Sequence, residues 1–354
     1  MAKDHYEIIG VMSGTSLDGV DLIWATFRFD DKWSYKIHQA ETVAYSKDWE
    51  AKLKRLVDFS KAELTQIDQD YTQYLVGLIG QFISKHQIAS LDAVCSHGHT
   101  ALHQPSEGLT YQIGNLPIIS ELLQHKVVCD FRVQDVELGG QGAPLVPIGD
   151  ALLFSEYDFC LNLGGFANIS TDIKGNRIAY DICPVNIVLN HYVRQLGLDY
   201  DDEGKIARSG NLDEGLLEQL NSLEFYQKNF PKSLGLEWVE TSILPLIDAA
   251  QLPIKDVLRT FIEHAAIQIA KEFTSKSRGT VLTTGGGAYN SFLIERIQSK
   301  TEAKIIIPNP AIIEYKEALI FGFLGVLKLE NQPNCLASVT GARHDHSSGQ
   351  VYYP

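Results

Sequence analysis

Ile8-Ile9-Gly10-Val11-Met12-Ser13-Gly14-Thr15-Ser16-Leu17-Asp18-Gly19-Val20-Asp21 is the stretch on which the reading of the chain turns. An apolar, β-favouring run enters a turn of Gly, Ser, Thr and Asp, and a second apolar run, Leu22 to Phe27, leaves it. The pattern predicts a β-hairpin whose tip is made of small residues and backbone N–H groups. Glycine removes the side chain that holds a backbone away from phosphate, and the turn amides supply donors. Asp18 and Asp21 add oxygens able to hold Mg2+ through water or to position a reacting hydroxyl. An ordinary Gly-Asp hairpin turn has the same signature. Both readings stand on these residues alone.

The 354 residues exceed what one core usually covers, which predicts two lobes. A net charge of −14 argues against nucleic-acid and anionic-membrane partners, which require basic patches. It leaves room for a nucleotide, bound through a few local donors. No secretory leader is expected, because the apolar run after Met1-Ala2-Lys3-Asp4-His5 is short and broken by Ser13 and Gly14. The longest apolar stretch, Ala318 to Leu329, is glycine-interrupted and reads as a buried helix. Cys95, Cys129, Cys160, Cys183 and Cys335 are odd in number and fit no zinc or disulfide spacing, so a reducing, cytoplasmic setting is expected.

Working outward, strands are predicted at Tyr6–Met12, Val20–Phe29 and Tyr35–Tyr45, an antiparallel meander. A helix follows at Glu63–His86, with Leu64, Ile67, Tyr71, Leu75, Leu78, Ile79 and Phe82 on one face. Leu91–Cys95 reads as a strand, Asn115–Gln124 as a helix and Lys126–Cys129 as extended. The theme then repeats: strand Phe159–Leu163, turn Gly164-Gly165, return strand Phe166–Asp172 and third strand Ile178–Ile182. Helices are expected at Pro184–Leu196, with proline in the first turn, and at Leu212–Leu220 and Lys255–Lys276. Strand Thr280–Thr283, helix Ser291–Lys300, strand Lys304–Ile307 and helix Ile313–Leu329 complete the chain. Two βββαβα-like halves imply an internally duplicated α/β protein with a cleft between lobes.

Several short constellations carry chemistry. Gly285-Gly286-Gly287-Ala288-Tyr289-Asn290 joins a strand to a helix, where glycines admit a flat ligand and the helix start favours an anion; a tight left-handed connection is the structural alternative. Asp181, before Pro184, suits either a general base or a helix cap. Gly139-Gly140-Gln141-Gly142-Ala143-Pro144 reads as a substrate loop, preceded by Asp130-Phe131-Arg132, whose arginine can fork onto an anion. His97, His99 and His103 lack a fourth ligand at zinc spacing, so polar substrate contact by His97 or His99 is preferred. His344-Asp345-His346 reads as a solvated tail. Glu317 opens a glycine-bearing helix that is expected to pack closely on the other lobe, or is a surface acid favoured by the helix dipole.

Taken together and in order, these pieces resemble the anhydro-N-acetylmuramic acid kinase family of the sugar kinase/Hsp70/actin superfamily. The matching stretches are Ile9 to Asp21, Ser96-His97-Gly98-His99-Thr100, Tyr111 to Asn115, Asp130-Phe131-Arg132 and Leu138 to Pro147. Asn162 to Asn168, Gly285 to Gly287, Glu317-Ala318 and Ser338 to Ala342 continue the series. The resemblance implies an α/β fold of two actin-like (RNase H-like) lobes. Each would be a mixed five-stranded sheet flanked by helices, closing over ATP and Mg2+ in the cleft. The N-terminal lobe would take residues 1–128 and 318–354, the second lobe 129–317.

The implied ATP contacts are Gly14, Thr15, Ser16, Leu17, Asp18, Gly19, Val20, Asp21, Gly164, Gly165, Gly285, Gly286, Gly287, Asn290 and Glu317. Mg2+ would arrive with ATP, near Asp18 or Asp21, without a metal site held by protein alone. His97, His99, Asp130, Arg132, Gln141 and Gly142 fall in segments expected to line the sugar, and Asp181 matches the general base that activates water. In the implied reaction water attacks the anomeric carbon of the 1,6-anhydro sugar, and the freed 6-oxygen takes the γ-phosphoryl group, a step of cell-wall (peptidoglycan) recycling. The partners are then an amino sugar and a nucleotide; a homodimer is compatible with the resemblance.

The chain departs from the family pattern at three places. Asp-Thr-Gly-Pro-Gly-Asn is replaced by Asp181-Ile182-Cys183-Pro184-Val185-Asn186, which places Cβ atoms on a loop expected near phosphate. Leu236 stands for an arginine and His99 for a glutamine. These departures motivate two alternatives: a related sugar kinase of shifted substrate, and a nucleotide-binding protein without kinase activity.

Overall fold

Alternating apolar residues in the first forty positions leave one solution, a meander with one face buried. In the computed structural model, which describes residues 3–14, 17–276 and 278–354, β1 (His5–Ser13), β2 (Val20–Phe29) and β3 (Trp33–Val43) run antiparallel. Thr15 and Ser16, at the hairpin tip, lie outside the described residues. β4 (Ala93–Ser96) joins β1 in parallel, and a separate hairpin, β5 (His99–Gln104) with β6 (Leu109–Ile113), follows. β7 (Val127–Cys129) lies parallel to β4.

The helix Lys61–Lys85 starts at a capping box in which Ser60 and Glu63 satisfy each other's backbone N–H groups. All seven residues expected on its inner face are buried, packed with β1, β2 and β4 in one core. The helix Pro310–Leu329 begins earlier than the predicted Ile313, and Glu317 sits inside it rather than at its start. Its glycines meet the first sheet: a Cβ at Gly322 would meet Ile8 at 3.3 Å, and one at Gly325 would collide with Cys95. Close approach to β1 and β4 of the same unit is what requires them.

The second half repeats the plan. β8 (Phe159–Leu163), β9 (Phe166–Ile173) and β10 (Asn176–Pro184) are antiparallel, while β11 (Thr280–Thr284) is parallel to β8 and to β12 (Lys304–Ile306). Helix Ile254–Lys271 is buried along most of its length and centres a core with helices Asn186–Val193 and Ser291–Gln298. The last strand, β13 (Gln350–Tyr352), which the sequence reading did not anticipate, pairs with β7. The strand orders are therefore β13-β7-β4-β1-β2-β3 and β10-β9-β8-β11-β12. The first sheet has six strands, not five, because the C-terminal segment adds an edge to an otherwise identical order.

The chain divides into unit 1, Met1–Leu153 with Tyr315–Pro354, and unit 2, Phe154–Glu314. The boundary expected at 128/129 lies 25 residues too early, since the segment after β7 stays in unit 1: Arg132 bonds to His97 and Asp135 to Thr340. Helix ends also move. Asn115 precedes the helix Ile118–Leu123, and Pro184 ends β10 rather than opening a helix. Among the described residues no helix is long and apolar enough to cross a membrane, and all five cysteines are buried and free.

Candidate active site

The hairpin that opens the chain closes at Ser13 opposite Val20, with Leu17 at φ 61° bonding back to the carbonyl of Gly14 at 3.4 Å. A Cβ at Gly19 would lie 2.5 Å from the Val43 carbonyl oxygen, so the turn's exit is pressed against β3. Asp18 is exposed; Asp21 is half-buried, and its Oδ1 accepts a 2.6 Å bond from Thr42. Two hard carboxylates beside a crowded backbone match the donor set Mg2+ prefers.

Below the turn, Ser13 Oγ meets the hydroxyls of Tyr45 at 2.5 Å and Tyr71 at 2.8 Å, and His99 Nδ1 at 2.8 Å. Burial drops the His99 pKa to about 4, which keeps the ring neutral. His99 thus braces the base of the hairpin. Sequence reasoning missed this hydroxyl cluster because its members are separated by up to 86 positions.

The predicted sugar-side residues converge. Arg132 Nε donates to His97 Nε2 at 2.8 Å, and Arg132 Nη1 to the Gly142 carbonyl at 2.6 Å. His97 Nδ1 donates to the Gly98 carbonyl at 2.8 Å, so Nε2 carries the lone pair that receives Arg132. Burial, then the neighbouring Arg132 charge, hold His97 well below its ordinary pKa. The His97 ring packs tilted against Phe321, and the Arg132 guanidinium lies over the same ring. Asp130, at φ 56°, accepts a 3.0 Å bond from Asn115, and burial pushes its carboxyl up to about 6. Asn115 and Asp135 complete the group: Asp135 Oδ2 accepts from the Gly142 N–H at 2.7 Å. Gln141 is exposed, and its N–H reaches the Thr340 carbonyl at 2.8 Å. Glu317 keeps some exposed surface, yet loss of solvation at its carboxyl raises it above the usual range, with the Arg132 and Lys316 charges opposing.

In unit 2, Asp181 lies on β10 opposite Asn168, at a bulge running to Cys183. Its N–H bonds to the Lys232 carbonyl at 3.1 Å, and its Oδ2 accepts the Leu234 N–H at 2.8 Å. Oδ1 has no protein donor among the described residues. Desolvation raises the carboxyl above its usual range, with the Leu234 bond opposing. Asp181 does not cap the following helix; that helix starts from Val185 without a side-chain cap.

The departure after Asp181 has a different consequence from the one expected. Ile182, Cys183 and Val185 are almost wholly buried in the unit 2 core, at 1%, 0% and 0% exposure. Their side chains therefore leave the loop's outer side uncrowded. The backbone is held by the Gly164-Gly165 turn: the Val185 N–H bonds to Gly165 O at 2.8 Å, and Asn186 Nδ2 to Leu163 O at 3.1 Å. Leu236, in the arginine's place, is exposed.

The second glycine turn crosses the same strand end. Gly285 has φ 80°, and a Cβ there would lie 2.5 Å from Asn162 Oδ1; one at Gly287 would lie 2.8 Å from Leu163 Cβ. Gly286 faces open space. The first and third glycines are thus demanded by packing on β8, and the middle one presents bare backbone. Asn290 caps the helix Ser291–Gln298 through a 3.0 Å bond from the Leu293 N–H, and it is buried.

A family model described as anhydro-N-acetylmuramic acid kinase matches residues 6–354. A Pseudomonas savastanoi pv. phaseolicola (strain 1448A / Race 6) protein named anhydro-N-acetylmuramic acid kinase is 33% identical over 370 residues, covering 97% of this chain and 98% of its own. One of the same name from Sulfurovum sp. (strain NBC37-1) is 34% identical over 369 residues, covering 99% and 100%.

Proposed function

The chain belongs to the anhydro-N-acetylmuramic acid kinase family, and on that premise we propose how its residues divide the work of an ATP-dependent phosphotransferase with an alcohol acceptor. Water bonds to the anomeric carbon of 1,6-anhydro-N-acetylmuramic acid as the bond from that carbon to the 6-oxygen breaks. The freed 6-oxygen then takes the γ-phosphoryl group, and ADP leaves. The products are N-acetylmuramic acid 6-phosphate and ADP, as cell-wall recycling requires.

The observation that supports this division is the state of Asp181. One oxygen is pinned by the Leu234 N–H, and the other is left to accept a proton from water. Desolvation raises its basicity in the direction a general base needs. Arg132, locked between His97 and the Gly142 carbonyl, offers its remaining N–H groups to the sugar's polar groups. Neutral His97 and His99 hold their neighbours and carry no charge into the site.

The Gly14–Asp21 turn, Gly164, Gly165, the bare Gly286 backbone and Glu317 are assigned to the nucleotide. Asn290, already spent as a cap, shapes the helix start there. Asp18 and Asp21 fit Mg2+ as oxygen donors, and Mg2+ bound with ATP would neutralise phosphoryl charge. The buried free cysteines suit a reducing, cytoplasmic setting. Incubation of the purified chain with ATP, Mg2+ and the anhydro sugar is expected to release ADP and 6-phosphorylated sugar in equal amounts. ADP without phosphosugar overturns the assignment.

A further inference from the structure

Beside the sugar-side group, and sharing Asp135 with it, unit 1 buries a mixed cluster of metal-binding side chains. Asp135, Cys335 and His346 bring one carboxylate oxygen, Sγ and one ring nitrogen within 4.8 Å of one another, all buried. The sequence reading of His344-Asp345-His346 as a solvated tail is corrected here for His346, which is 5% exposed. Its backbone forms a two-way bridge with Cys335, at 3.1 and 3.2 Å, which carries the ring inward.

His346 Nδ1 faces the His344 carbonyl at 3.1 Å, and a carbonyl can only accept, so Nδ1 holds the proton. In the neutral ring Nε2 then carries a lone pair. That atom is buried, makes no hydrogen bond and lies 3.5 Å from Asp135 Oδ1. A lone pair facing a carboxylate in the interior is unfavourable unless a positive charge sits between them. A tetrahedral Zn2+ with its usual bond lengths separates nitrogen and oxygen ligands by about 3.3 Å, close to this spacing.

We propose that Asp135, Cys335 and His346 form a three-ligand Zn2+ site, its fourth position taken by water, that fastens the C-terminal segment to the Gly140–Gly142 loop. The ligand set suits Zn2+, which takes thiolate, imidazole and carboxylate together. Charge also balances, since one thiolate and one carboxylate neutralise the ion in a buried place. Each hard ligand is already oriented by a neighbour. The His346 N–H points at a backbone carbonyl, while Asp135 accepts from Thr340 Oγ1 at 2.7 Å and from the Gly142 N–H. Burial pushes the Cys335 thiol up to about 12, so binding forms the Zn–S bond as the S–H bond breaks and one proton is released to solvent.

The test uses the full chain. Elemental analysis of the purified protein is expected to find about one zinc per chain. After chelator treatment, Co2+ should produce a sulfur-to-cobalt charge-transfer band that saturates at one equivalent and is displaced by Zn2+. Cys335→Ser and His346→Gln should each remove that band. Independently of any variant, Zn2+ should raise the thermal midpoint of the wild-type chain relative to chelator. Folded wild-type protein that binds neither metal overturns the site. A cobalt–sulfur band retained in Cys335→Ser overturns it equally. Kinase activity is not the readout, so neither result depends on the catalytic assignment.

Discussion

Units 1 and 2 put the same five-strand order to different chemical use at one equivalent place. In unit 1 the pair beside the first turn is Asp21 on β2 and Thr42 on β3; in unit 2 the matching register holds Asn168 on β9 and Asp181 on β10. The unit 1 carboxylate accepts a bond from its cross-strand hydroxyl. The unit 2 carboxylate sits on the third strand and takes a backbone N–H from beyond the sheet instead, which leaves one oxygen open. Moving the acid one strand outward turns a closed pair into a candidate base. The turns differ too: unit 1 uses a long one around Asp18, and unit 2 a short Gly164-Gly165 turn that supports the backbone after Asp181.

Asp181→Asn should expose the contrast most strongly. It keeps an acceptor for the Leu234 N–H but cannot take a proton, so kcat should fall about 10²- to 10⁴-fold with little change in thermal midpoint. Its unit 1 counterpart, Thr42→Val, removes one hydrogen bond to a carboxylate. A loss of about tenfold or less in kcat/KM is expected there, the equivalent of one such bond. Equal losses in the two variants would erase the distinction between the units.

Stability should separate the two views of the loop after Asp181. Restoring the family's glycine by Val185→Gly empties a fully buried position and frees the unfolded backbone, so urea unfolding should show a loss of about 2 kcal/mol or more. A gain in ATP affinity with no such loss would mean that the side chain crowds the ligand after all. At the other glycine turn, Gly285→Ala should cost about 1–3 kcal/mol, because φ is positive and Leu163 backbone lies in the way. Gly286→Ala should change stability by about 0.5 kcal/mol at most and act mainly on nucleotide affinity.

The smallest effect concerns pH. His99 has a folded pKa near 4 against 6.5 unperturbed, so the unfolded chain takes up its proton first. The stability it supports is complete above pH 6.5 and is lost as pH falls toward 4. His99→Gln should reduce the pH slope of unfolding free energy in that window by one proton's worth. An unchanged slope would place the ring in solvent.

Much of this was legible in the sequence because it is local. The two meanders, the amphipathic helix with its seven inner residues and the glycine turns depend on spacing within about ten positions. What was hidden is long-range or breaks the period. The bulge between Asp181 and Cys183 buries successive side chains, which alternation cannot reveal. The partners of Ser13, the sixth strand and the inward turn of His346 depend on residues tens to hundreds of positions away. Arg132 was readable as an anion fork, but its anchoring by His97 and Gly142 was not.

The central claim is that the open oxygen of Asp181 directs water to the sugar's carbon and not to phosphorus. Turnover in 18O-labelled water, quenched before anomeric exchange and read by mass spectrometry, tests it. One label on the sugar's anomeric oxygen and none on the transferred phosphoryl group is the predicted result. Label on phosphorus, or phosphosugar formed without label, would contradict it.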